Sequence, residues 1–158
     1  MNIFGRSFGE HLMRLTPALG LVGAVWVLRL VLDATGFPHW LVSPLSVTVA
    51  MAASVLLAVL LIHVGWSGGY SDVLFASMLL AAWGHLLIVA AIVFSVLTGI
   101  ENIYTAPEFS GPMSDRLHLR HICGHLTIGI GLNTLLGAAM GCLVLWLLRI
   151  LVPMRPRS

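Results

Sequence analysis

His118, His121 and His125 stand at i, i+3 and i+7. At 100° per residue they fall within an arc of about 60° on one helix face. Imidazoles at this spacing can reach a common ion, and zinc, copper or ferrous iron would suit nitrogen and carboxylate ligands. Glu101, Glu108, Asp115 and His39 are expected at the same end of the molecule and could complete such a shell. The competing expectation is three solvated or hydrogen-bonded histidines at the headgroup level, structural or pH-dependent, with no ligand.

Two further groups could do chemistry. Arg29 and Asp33, at i and i+4, lie in the outer part of an apolar segment and can pair on one face. Charges within such a segment cost several kcal/mol unless paired, so they suggest a function by default. Arg29 would bind an anionic substrate, a lipid headgroup or a carboxylate such as Glu101; otherwise the pair is self-satisfied and reaches to the headgroups. His85 is the deepest histidine. It is expected to hydrogen-bond across to a neighbouring helix, near Ser54 or Asn133, with Asn133, Thr127 and Thr134 as interhelical polar contacts.

A haem between His85 and either His63 or His125 is disfavoured by depth. With the apolar segments aligned at their ends, no two of these residues reach one level without a shift of about 10 Å or more. Met51, Met78, Met113 and Met140 do not gather at one depth, so a methionine copper path is not expected. Cys123 and Cys142 lie about 28 Å apart along one helix, which rules out a bridge within the chain. Walker, zincin and Rossmann motifs are absent, so catalytic residues cannot be assigned and an enzyme is not the expected reading.

The elements that carry these residues are four apolar blocks, roughly 17–34, 42–65, 72–100 and 122–151. Each is long enough to cross a hydrocarbon core of about 30 Å. The chain is 59% hydrophobic and 9% charged, and its mean hydropathy is +1.01. The fold class that follows is an all-α integral membrane protein, four transmembrane helices in an antiparallel bundle, with 1–158 as one membrane domain. Residues 2–15 read as an amphipathic interfacial helix, with Phe4, Phe8, Leu12 and Leu15 on one face and Arg6, Glu10 and Arg14 on another. Thr16-Pro17 would then cap the first span and start it in a new direction. The first block holds Arg29 and Asp33 and is not expected to be a cleaved signal.

Asp72 is expected to cap the third span, and 101–114 to form an outer loop. Ser114 would cap a fourth helix that starts at Asp115 and tilts, protrudes or kinks near Gly124. Gly137-x-x-x-Gly141 allows close helix approach, inside the bundle or in a dimer.

The net charge of +2 is carried by arginine alone and leaves no footprint for nucleic acid. Arg6, Arg14, Arg149, Arg155 and Arg157 flank the terminal side, against Arg116 and Arg120 on the other. The positive-inside rule then puts both termini in the cytoplasm, consistent with a bacterial inner membrane. Three functions remain open. The first is a non-enzymatic membrane protein, working as a homo-oligomer or an accessory subunit of a membrane complex. The second is a metal- or haem-binding protein with an outer histidine site. The third is a small oligomeric transporter or channel whose polar path is lined by Arg29, Asp33, His85 and Asn133.

Overall fold

The computed structural model describes residues 2–3, 6–65, 68–106 and 117–152. Four long helices are apolar enough to cross a membrane. They are α1 (Phe8–Ala34), α3 (Val47–Gly65), α4 (Tyr70–Thr98) and α5 (Leu119–Leu151). A one-turn helix α2 (His39–Val42) joins the first two. Asn2–Ile3 and Arg6–Ser7 form a two-residue antiparallel pairing ahead of α1.

The first helix departs from expectation. Among the described residues of 2–15 there is no separate interfacial helix; one helix starts at Phe8 and runs through Pro17 to Ala34. Its start is written in a capping box. Ser7 N–H donates to Glu10 Oε2 at 2.7 Å, and Glu10 N–H to Ser7 Oγ at 3.3 Å. Thr16 does not cap anything: its hydroxyl donates back to the Leu12 carbonyl at 3.1 Å. A proline interrupts one hydrogen bond in such a helix, and tertiary packing can hold the helix across it. Leu15, Ala18 and Val22, on either side of Pro17, are all buried in the core.

Asp72 sits in the first turn of α4 rather than at its cap, and accepts from Gly69 N–H at 2.7 Å. Its side chain satisfies a donor that the helix leaves open. Gly99, at φ 73°, ends α4 in the left-handed conformation that glycine adopts without steric cost.

Helices α3 and α4 each contact three of the other long helices, whereas α1 and α5 pack on both of them from opposite sides. Of the four, α4 is the most buried and α5 the least. The α4–α5 seam is set by glycines. A Cβ on Gly141 would meet Val73, one on Gly137 would meet Ser77, and one on Gly129 would meet the His85 ring. Four and twelve steps back along α5 match four and twelve steps forward along α4, so the two helices are antiparallel in a fixed register. Gly137 and Gly141 therefore face into the molecule. At the far end of this seam Arg149 Nη2 donates to the Gly68 carbonyl at 2.9 Å, and its guanidinium stands 5.2 Å from the Tyr70 ring centroid.

Helix α5 begins at Leu119. His118 precedes it with φ 50°, a left-handed backbone that histidine tolerates better than most side chains. The irregularity expected near Gly124 is a π turn at His125–Gly129. Such turns gather at functional positions because they rotate the helix face by an extra residue.

Candidate functional site

The π turn sits where the histidines are. His85 Nδ1 lies 2.8 Å from His125 Nδ1, and His125 Nε2 lies 2.9 Å from His121 Nε2. At the other side of His85, Asn133 Nδ2 stands 3.0 Å from Nε2, and the same amide donates to the Gly129 carbonyl at 3.0 Å. His121, His125, His85 and Asn133 thus form one continuous hydrogen-bonded chain. It runs from the first turn of α5 to a side chain only 3% exposed.

Helix geometry builds each link. His121 and His125 are one turn apart on α5, and Gly129 and Asn133 continue the same face. Gly129 is the seat of His85: a Cβ there would lie 2.6 Å from His85 Cε1. Only a residue without a side chain lets the ring lie against the α5 backbone.

The chain has a direction. The Gly129 carbonyl can only accept, so the Asn133 atom facing it must be the amide nitrogen. Its second hydrogen then goes to His85 Nε2. For neutral rings the rest follows: His85 carries its proton on Nδ1 and donates to His125, and His125 carries its proton on Nε2 and donates to His121. Every donor in the chain points toward the start of α5.

This arrangement corrects the depth argument against His85 meeting His125. Aligning the spans by their ends places residues near Gly137 opposite His85. The glycine contacts place Gly129 there instead, about 12 Å along α5. Haem is still not accommodated. Axial nitrogens on opposite faces of an iron stand about 4 Å apart, twice an ordinary metal–nitrogen bond. These nitrogens touch each other.

The three histidines named first are not joined in one group: His121 and His125 touch, and His118 is not linked to them. His118 is the residue before α5, and its Nδ1 is buried without a hydrogen-bond partner. Among the described residues, no group of three His, Cys, Asp or Glu side chains is arranged to hold a metal ion. His125 also spends its two nitrogens in different directions, so one ion cannot replace both contacts. Glu108 and Asp115 lie outside the described residues, as does the side chain of His39.

Arg29 and Asp33 belong to a second polar group, on the α1–α4 side. Asp33 Oδ2 accepts from Ile103 N–H at 2.8 Å, and the Arg29 guanidinium stands 5.0 Å from the Tyr104 ring centroid. Segment 99–106 is folded back over the helix ends. Asn102 Nδ2 donates to the Ala91 carbonyl at 2.8 Å, the Ser95 and Thr105 hydroxyls lie 3.1 Å apart, and Ile103 to Ala106 are buried. Burial pushes the Tyr104 phenol up to about 12, against the opposing pull of Arg29. Glu101 lines a cleft beside Asp33.

The charge-assisted bond from Ile103 to Asp33 contributes about 1.5–3 kcal/mol. Asp33→Ala should therefore speed amide exchange at Ile103–Ala106 by about 10- to 100-fold, with α3 unchanged. Hydrogen-exchange mass spectrometry reads this directly.

His85 and Asn133 were legible as polar residues within spans. Gly129, Tyr104 and the backbone of Ile103 were not. The only signal for Gly129 was its place one turn after His125 in a glycine-rich helix.

Comparison with protein-family models, with curated proteins and with solved structures finds no match to this chain.

Proposed function

We propose that this is an integral membrane protein whose α4–α5 seam relays protons through His121, His125 and His85. The observation that carries this reading is the chain of imidazole contacts at 2.8 and 2.9 Å. A proton added at His85 Nε2 lets the Nδ1 proton pass to His125 and the Nε2 proton of His125 pass to His121, which then carries the charge with a proton on each nitrogen. His121 Nδ1 is buried, so release requires the first turn of α5 to open. Charge moves along the chain while each proton shifts by one bond. The donors then point the other way, and Asn133, held by Gly129, favours their return to the starting direction.

Titratable groups inside an apolar span support a proton-handling role. In this reading the four helices span a bacterial inner membrane with both termini cytoplasmic, as the arginine distribution favours. The relay reaches only part of the way across. The protein then works as a homo-oligomer, in which other copies of the chain supply the remaining path.

A second reading is favoured by one contact. The Nε2 atoms of His121 and His125, 2.9 Å apart, are close enough to bind one zinc, copper or iron ion as adjacent ligands. Glu108 would be a further donor.

One preparation tests both. In proteoliposomes with an internal pH dye and an imposed potassium gradient, the protein should raise proton entry above that of empty vesicles. His125→Phe should return it to background, while His118→Asn, suited to the left-handed backbone, should not. No flux above background overturns the relay. Stoichiometric metal that disappears in the His121→Ala/His125→Ala variant establishes the second reading instead.

A further inference from the structure

A cleft of about 780 Å³ opens between α1 and α4 at the end where both helices finish. This is within the size range of small-molecule sites. Its body is apolar, with Trp26, Leu30, Ala90 and Phe94 along the walls. Its mouth carries two carboxylates, Asp33 and Glu101. Trp26 lies seven residues before Asp33 on α1, so the cleft reaches about 10 Å below the acidic rim.

Two independent features give the mouth a preference for positive charge. The carboxylates are the first, with Glu101 exposed. The second is the pair of helix C-termini. Ala34 ends α1 and Thr98 ends α4 at this rim, each bringing the negative end of a helix dipole. The chain supplies no basic residue in the last turn of either helix. Arg29 is only 7% exposed, lies over Tyr104 and is not part of the cleft wall. An anionic ligand would therefore meet the two carboxylates rather than the guanidinium.

We propose that this cleft binds an amphipathic cation: one apolar chain lying along Trp26, Leu30 and Phe94, with an ammonium head between Asp33 and Glu101. The apolar depth fits a hydrocarbon chain and the acidic rim fits its head. The site shares α4 with the histidine relay but none of its residues, and the inference stands without the relay.

The protein, in maltoside micelles, is titrated with tetradecyltrimethylammonium and separately with tetradecyl sulfate, following tryptophan fluorescence. The ammonium should give a saturable change that is lost in Trp26→Phe. The sulfate should give none. Glu101→Gln, which leaves the Asp33–Ile103 bond in place, should raise the half-saturation concentration by about fivefold, the worth of one partly exposed charge contact. The proposal is overturned by any of three results: an equal saturable response to sulfate, a signal that survives Trp26→Phe, or an unchanged half-saturation in Glu101→Gln. Mass spectrometry of lipid released during the titration separates the natural sources. A displaced aminophospholipid marks a membrane lipid as the occupant; saturable binding with no displaced lipid marks a free amphiphilic amine.

Discussion

Gly129→Ala should cut proton flux by about tenfold or more while leaving the helices in place. The added methyl would lie 2.6 Å from His85 Cε1 and 2.9 Å from Nδ1. Those distances are too short for nonbonded carbon and nitrogen, so the ring must swing away from α5. Its contacts to His125 and Asn133 both go with it. Two hydrogen bonds of about 1 kcal/mol each are lost, and each 1.36 kcal/mol corresponds to a factor of ten in rate. Overpacking adds a stability cost of about 1–3 kcal/mol. Imidazole nitrogen NMR provides the control. In the wild type the three rings should carry their protons alternately on Nδ1, Nε2 and Nδ1, and in the variant His85 should lose its fixed tautomer. Unchanged flux in a variant whose nitrogen shifts show that His85 has lost its fixed tautomer would remove the relay from consideration.

Gly141→Leu should be the most damaging single change on α5. Even a bare Cβ at Gly141 would stand 2.7 Å from Val73 Cγ1, 3.1 Å from Val55 Cγ1 and 3.2 Å from Val59 Cγ2. Valine side chains are stiff at χ1 and cannot turn aside, so the helices must separate. The alanine variant should cost about 1–3 kcal/mol, and leucine should prevent a stable fold in detergent. Gly137→Ala should be mild, since its nearest neighbours lie at 3.4 Å, an ordinary contact. Gly131→Leu should be close to neutral, because nothing lies within 4 Å of that position. Thermal melts in detergent with size-exclusion chromatography check the series. If the glycine pair served a dimer instead, Gly141→Leu would lower the oligomeric state and leave the melting temperature of the monomer unchanged.

Both predictions turn on glycines whose presence was legible but whose partners were not. The four spans could be read from hydropathy alone, because crossing a hydrocarbon layer demands long uninterrupted apolar runs. Ser54 or Asn133 could be named as a neighbour of His85 from chemistry, since a buried imidazole needs a partner; it is Asn133, while Ser54 donates to the Ala18 carbonyl. The meeting of His85 with His125 could not. Helix register along a seam is decided by where backbones approach most closely, and span ends are poor markers of that. Ends fray, helices overrun one another, and here a π turn adds a residue that no periodic pattern reveals.

The same limit explains α1. Pro17 reads as a start signal in isolation, yet Leu15, Ala18 and Val22 pack on both sides of it and carry the helix through. Arg29 and Asp33 were visible as an i, i+4 pair. Their engagement by Tyr104 and Ile103 depends on segment 99–106 folding back, and sequence gave no measure of that.

Helix α4 serves as a party wall. One of its faces closes the acidic cleft with Ala90 and Phe94, while another presents His85 to α5. A rigid rod cannot tilt at one face and stay still at the other. A substitution that widens the cleft by moving α4 would also draw His85 off Gly129, and one that tightens the glycine seam would reshape the cleft. Changes at the two sites are therefore expected to come in compensating pairs, with α4 residues such as Ala91 tolerating little beyond their present size.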